Sequence, residues 1–342
     1  MSHSSPGGRL VDAYELVIFD LDGVVYLVDR PIVTAVAAVG RLHAEGKPLA
    51  YATNNASRRA DEVAALLTGM GLTVRPQEVL TSAAAAAELL AHRFPPDSPV
   101  LVVGAEALRT EVRDVGLRPV SRLEDAPVAV VQGYGPEVGW AELAEAALAI
   151  RAGADWFVTN TDRTLPTARG PVPGNGSLVA AVRTALARDP DVVVGKPEPA
   201  LFTAAARRFG AARPLVVGDR LDTDIEGAVR AGMESLLVLT GVSAPVDLLR
   251  AAPSARPDFV ASDLGGLFDP ARVARLSADP AEGAGAGWQV VDGGPTVLTG
   301  EGTRMAALAA LCAASWSGVP VDALEPGSEA ARKTLEELGL LP

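Results

Sequence analysis

The sequence predicts an α/β protein built on parallel sheets and divided into more than one domain. Three observations lead there. Short Val/Ile/Leu runs alternate with Ala-rich helical stretches, which implies parallel strands joined by helical crossovers. A second set of the same kind begins near residue 80, and the first style returns at 191. The chain has 342 residues, more than one small core accommodates. Hydrophobic residues make up 49 % of it but aromatics only 4 %, so Ala, Val and Leu must fill the core.

Taken in order, "ELVIFD" (15–20) reads as a buried strand and "IVTAVAAVGRLHAEG" (32–46) as a helix stopped at Gly46. "KPLAYATNN" (47–55) is the next strand. "SRRADEVAALLTGMG" (57–71) is a helix with Ser57 as N-cap and Gly71 past its end. The second set comprises helices at 81–93, 105–116 and 140–153, with strands at 99–104, 128–133 and 155–160. A Pro/Gly-rich loop (161–177) leads to a helix at 178–189. From 191, "DVVVGKPEPALFTAAARRFG" and "PLVVGDRLDTDIEGAVRAG" resume the first pattern, with further strands at 235–242 and 257–262. "SADPAEGAGAG" (277–287) reads as a linker, followed by a strand pair and two closing helices.

Charge and composition narrow the partners. A formal net charge of −12 argues against nucleic acid or an anionic membrane, and an anionic substrate would need a metal or a placed lysine. The single cysteine, Cys312, allows neither an internal disulfide nor a cysteine zinc site. His3, His43 and His92 lie near none of the motifs below, so catalysis is expected to use carboxylates, lysine, hydroxyls and metal. The polar start lacks a signal-peptide apolar stretch and no apolar run reaches spanning length, so a soluble cytoplasmic protein is expected.

Four motifs stand at or near predicted strand ends, the edge where open α/β sheets bind ligands. In "FDLDGVVY" (19–26), Asp20 and Asp22 are two positions apart and point the same way from a strand. Two such charges about 4 Å apart repel by roughly 4 kcal/mol at an effective dielectric near 20, so something must offset them. Asp20 suits a nucleophile and Asp22 an acid/base; alone, the pair could also be a solvated turn. Thr53-Asn54-Asn55 offers a hydroxyl and amides at a helix start, which suits a phosphate oxygen, though an ordinary cap reads the same way. Lys196, between Gly195 and Pro197, is a cation on a stiff backbone or a plain surface lysine. "GDRLDTD" (218–224) places Asp219 after a strand and Asp224 five residues on, oxygen donors suited to Mg²⁺; Asp222 reads as a cap.

In this order the four motifs resemble the haloacid dehalogenase (HAD) superfamily: D-x-D-G, then Thr, then Lys, then G-D-x-x-x-x-D. About 140 residues between Asn55 and Lys196 resemble an inserted C2-type cap, as in the NagD-like subfamily IIA. "DRTLPTARGPVPGNGSLVAA" and "AEAALAIRAGADW" are similar to the actinobacterial glycerol-3-phosphate phosphatases, a group whose C-terminal extension is GNAT-like (acetyltransferase-related). "GSEAARKTLEELGL" resembles the end of such a fold, but the loop that would hold acetyl-CoA pyrophosphate is missing from 288–342, so acetyl transfer is not implied.

The resemblance implies a Rossmann-like HAD core at 12–80 and 191–265, a C2-type α/β cap at 81–190, and a linker with a small α+β GNAT-like region at 266–342. It implies a phosphoric monoester hydrolase acting on a small phosphorylated metabolite with Mg²⁺, glycerol 3-phosphate being favoured. The alternatives are a 2-phosphoglycolate or broad sugar, nucleotide or 4-nitrophenyl phosphatase, and, outside enzymes, an inactive phosphate-binding module. Asp20 and Asp22 would be catalytic. Thr53, Asn54, Asn55 and Lys196 would bind phosphate. Asp20, Asp22 and Asp219 would hold the metal, with Asp224 supporting them from outside. Related pyridoxal phosphate phosphatases carry a histidine where this chain has Leu165, which counts against that substrate. Relatives often dimerise through the cap, which implies a homodimer.

Overall fold

The computed structural model describes residues 8–28, 30–165, 167, 169–279 and 287–341. Most of the expected linker at 277–287 lies outside these residues, as does His3. The chain begins with β1 (Leu16–Phe19), α1 (Val33–Ala44), β2 (Leu49–Thr53), α2 (Ala60–Gly69) and β3 (Val79–Thr81). Then come α3 (Ser82–Arg93), β4 (Pro99–Val103), α4 (Glu106–Asp114), β5 (Arg118–Val120) and β6 (Ala129–Gln132). α5 (Trp140–Arg151), β7 (Asp155–Val158), α6 (Asn175–Leu186), β8 (Val192–Val193) and α7 (Ala200–Phe209) follow. Next are β9 (Pro214–Gly218), α8 (Glu226–Ala231), β10 (Glu234–Val238), α9 (Pro245–Leu249), β11 (Phe259–Ala261) and β12 (Val273–Arg275). β13 (Trp288–Val291), β14 (Thr296–Gly300), α10 (Arg304–Trp316), β15 (Leu324–Pro326) and α11 (Glu329–Glu337) close the chain.

These elements form two compact units. One comprises Met1–Leu27, Pro31–Leu49 and Phe209–Pro342, the other Val28–Arg30 and Ala50–Arg208. The breaks fall inside β2 and α7, so α2 and β3, expected with the core, group with the inserted segment.

In the first unit the strands run β12-β11-β10-β9-β1, parallel except for β12 at the edge. The register Phe19↔Val217 aligns the carboxyl ends of β1 and β9. Both strands are buried throughout, as their uninterrupted apolar runs require. The C-terminal elements belong to the same unit. β13 pairs antiparallel with β14, and β14 pairs parallel with β15. α10 buries Met305 and Ala307 to Cys312 in one cluster with Leu237, Leu248, Leu249 and Val260. Cys312 lies in that cluster, and burial pushes its thiol far up from the usual range.

In the second unit β2 pairs parallel with β3, and a separate parallel sheet runs β8-β7-β6-β4-β5. Alternate residues serve its two faces. Val100, Val102, Val131 and Phe157 pack with α3 and α4, while Leu101, Val103, Val130 and Trp156 pack with α5 and α6.

Several boundaries differ from expectation. α2 starts at Ala60 rather than after Ser57; the Glu62 carboxylate accepts from the Arg59 amide there, a local cap that frees Ser57 for a turn. α6 starts three residues early, at Asn175, because Gly176 lets its first turn press against the Thr161 carbonyl. β3, β5, β12 and β15 have three residues each, too few to show a period of two. Among the described residues no helix is long and apolar enough to cross a membrane.

Candidate active site

The first unit carries the acidic motifs. β1 ends at Phe19, and the Asp20 amide continues the ladder by donating to the Val217 carbonyl at 2.9 Å. β9 ends one residue before Asp219. A π-turn, Leu221–Ile225, then brings Asp224 back, and its carboxylate accepts from the Arg220 amide at 3.1 Å. Oxygens of Asp20, Asp219 and Asp224 lie within 4.8 Å of one another, and all three residues are buried. Buried like charges at this spacing must be offset by a proton, a paired group or a cation. Mg²⁺ takes hard oxygen donors such as carboxylates and keeps several waters, so these residues fit that ion. Asp224, expected outside the direct ligands, is a full member of the cluster.

Glycines make this convergence sterically possible. A Cβ on Gly241 or Gly23 would overlap Asp219 Oδ2, and one on Gly218 would overlap the Asp224 side chain. Gly23 also has φ +83°, which costs an L-residue about 1–2 kcal/mol. Gly23→Ala is therefore expected to displace Asp219 and weaken Mg²⁺ binding at least about tenfold, read by calorimetric titration with the circular dichroism unchanged.

Asp22 stands apart from the trio. It is partly exposed, and its carboxylate accepts from the Tyr26 hydroxyl at 3.2 Å. The amides of Val25 and Tyr26 donate to the Leu21 carbonyl, and the Thr240 hydroxyl donates to the Gly23 carbonyl, so the turn is tightly held. Asp222, read as a cap, instead forms a bidentate pair with the Arg220 guanidinium, which holds its carboxyl below the usual range.

The second unit carries the remaining motifs. Thr53 ends β2, but no helix starts there, since α2 begins at Ala60. The Asn55 amide, expected at a phosphate oxygen, donates instead to Thr53 Oγ1 at 3.1 Å, so the Thr53 hydroxyl proton is left to be donated elsewhere. Asn55 Oδ1 accepts from the Ser57 amide and hydroxyl. Lys196 is 3 % exposed, and its ammonium donates to the Ala52 carbonyl at 3.1 Å.

Asn54 does something the sequence reading missed. Its side chain grips the Lys196 peptide from both sides: Oδ1 accepts from the Lys196 amide at 2.8 Å, and Nδ2 donates to the Lys196 carbonyl at 3.1 Å. Nδ2 also donates to the Asp162 carboxylate. The Asn54 carbonyl accepts from Ser82 Oγ and Asn160 Nδ2, and the Asn160 carbonyl accepts from Asn175 Nδ2. Three buried asparagines thus tie the first residue of α6 to the lysine. The available signal was that Thr53-Asn54 and Thr159-Asn160 repeat one dipeptide after two strands.

Buried carboxylates at adjacent strand ends, packed against glycines, form an acidic cluster that fits a divalent cation. The chain belongs to the haloacid dehalogenase-like hydrolases: residues 17–118 match the haloacid dehalogenase-like hydrolase family and 193–267 the HAD-hydrolase-like family. Residues 286–340 match the GCN5-related N-acetyltransferase like domain. The chain is 44 % identical to the D-glycerol 3-phosphate phosphatase of Mycobacterium tuberculosis, over 97 % of this chain and 96 % of that one. It resembles the crystal structure of a glycerol phosphate phosphatase from the same organism in complex with magnesium, with TM-score 0.89, 45 % identity, and 98 % and 100 % of the chains covered. A 4-nitrophenylphosphatase from Thermotoga maritima gives TM-score 0.70 and 33 % identity over 76 % of this chain and 98 % of that one.

Proposed function

We propose that this protein is a magnesium-dependent phosphatase that hydrolyses small phosphomonoesters through an aspartyl-phosphate on Asp20, with glycerol 3-phosphate as its substrate. The buried cluster of Asp20, Asp219 and Asp224 is the observation that carries the reading. The relative named for glycerol 3-phosphate matches this chain along nearly its whole length, the C-terminal region included, which favours that substrate over 2-phosphoglycolate or a broad range.

In this reading a carboxylate oxygen of Asp20 attacks phosphorus in line, and the bond to the leaving alkoxide breaks. The Asp22 side chain, reachable from solvent and oriented by Tyr26, protonates that alkoxide. Asp22 then takes a proton from the water that attacks the aspartyl-phosphate, releasing phosphate and restoring Asp20. The Thr53 hydroxyl, the Asn54 amide and Lys196 stabilise charge on the phosphoryl oxygens. Asn54 and Asn55 hold that turn and the lysine in place. Asp20, Asp219 and the Asp22 carbonyl would hold Mg²⁺, joined by Asp224; when bound, it supplies the positive charge that offsets both the carboxylates and the phosphoryl group.

As segments of the sequence, 12–80 and 191–265 are proposed as the catalytic core, 81–190 as the cap and 266–342 as the linker and GNAT-like region, although α2, β3 and most of α7 group with the second unit. The cytoplasm as the site of action and a homodimer as the working assembly belong to the same proposal. The test is kcat/KM with Mg²⁺ for glycerol 3-phosphate, 2-phosphoglycolate, pyridoxal phosphate and nucleoside monophosphates. Glycerol 3-phosphate should lead by at least about tenfold, a difference of about 1.4 kcal/mol in transition-state binding. A different leader would overturn the substrate. No phosphate release from any of these, or from 4-nitrophenyl phosphate, would favour a binding module.

A further inference from the structure

We propose that the GNAT-like C-terminal region is a strut for the metal-binding carboxylate Asp219, acting through Ser315 and Trp316 at the end of α10. The inference rests on the reading that Asp219 holds Mg²⁺. Its physical basis is a continuous set of contacts inside one unit.

The segment after β10 secures Asp219. The Val242 amide donates to Asp219 Oδ2 at 2.7 Å, the Ser243 amide donates to the Asp219 carbonyl at 3.0 Å, and Ser243 Oγ accepts from the Leu221 amide at 3.1 Å. Gly241 sits against the same carboxylate with no room for a side chain. This segment runs directly into α9, which has five residues and whose last carbonyls include that of Leu248, accepting from the Ala251 amide at 3.1 Å, and that of Leu249. The C-terminal region adds a side-chain donor to each of these two carbonyls. Ser315 Oγ donates to the Leu249 carbonyl at 2.7 Å, and Trp316 Nε1 donates to the Leu248 carbonyl at 3.2 Å. The Arg256 guanidinium stacks 4.7 Å from the centre of the Trp316 ring and holds it in place.

Apolar packing reinforces the path. Leu248 and Leu249 share a cluster with Leu308, Leu311 and Cys312 of α10. Ile225, adjacent to Asp224, lies in the same cluster, and Leu221 packs against it. One apolar cluster therefore joins α10 to α9 and to the turn that carries Asp224. Ser315 and Trp316 are positioning residues: they fix the end of α9, which fixes residues 241–244, which fix the carboxylate of Asp219. Precise placement of metal ligands by surrounding groups is worth about tenfold to a hundredfold in affinity, and a more remote support is worth less.

The experiment is calorimetric titration of the full-length protein with MgCl₂, without substrate. Ser315→Ala/Trp316→Phe should raise the Mg²⁺ Kd about fivefold to tenfold while the unfolding midpoint stays within a few degrees of wild type. Ser315→Thr, which keeps the hydroxyl, should bind as wild type does. Arg304→Ala removes a different contact of α10, from Arg304 to Ser262 Oγ at 2.9 Å, and should leave the Kd unchanged. An unchanged Kd in the double variant, or an equal rise in Arg304→Ala, overturns the strut. Should the double variant not fold, Ser315→Ala alone decides on the same terms. Asp219→Asn separates the two readings: its loss of Mg²⁺ binding is required by the metal assignment, and retained binding overturns that assignment and the strut with it.

Discussion

Asp20→Asn is expected to lower kcat by about 10⁴-fold or more, with the protein still folded. The substitution preserves the shape of the side chain and its place after β1. It removes the charge and the nucleophilic oxygen, since an amide does not attack phosphorus at a useful rate. No neighbouring group in the acidic cluster can take over, because Asp219 and Asp224 come from a different strand end and are held by backbone amides of their own. Phosphate release and circular dichroism measured together check this. Substantial residual turnover in a folded Asp20→Asn protein would remove the aspartyl-phosphate route.

Removing residues 277–342 is expected to cost the protein its fold, not merely an accessory. Deletion would uncover Ile225, Leu237, Leu248, Leu249 and Val260, which share one apolar cluster with α10. At about 1.5–3 kcal/mol for each large side chain, the loss is on the order of 10 kcal/mol. Whole-domain stabilities are typically about 5–15 kcal/mol. The truncated chain should therefore aggregate on expression or unfold far below the intact protein. A soluble, monodisperse truncation with an unchanged melting midpoint would show that the region is an appendage after all.

The fold and the acidic part of the site were legible because each rests on local patterns. Uninterrupted apolar runs gave β1 and β9, and Asp20 and Asp219 stand within two residues of the ends of those strands. The residues that grip Lys196 were not legible. Asn54 and Lys196 are 142 positions apart, and an asparagine after a strand looks like a turn residue until its partner is known. Thr53-Asn54-Asn55 reads as a helix start because a strand followed by polar residues commonly precedes one; the cap at Glu62 moves the helix on to Ala60. The support of α9 by Ser315 and Trp316 was likewise hidden, since it joins segments 66 and 68 positions apart and involves side chains with no motif around them.

The central claim is that phosphoryl transfer passes through Asp20. The direct measurement is acid quench of the enzyme during turnover of glycerol 3-phosphate with Mg²⁺, followed by peptide mass spectrometry. A phosphoryl group is expected on the peptide "FDLDGVVY", carried by Asp20 and absent from Asp20→Asn. Turnover with no phosphorylated aspartate, or with the phosphoryl group on another residue, would contradict it.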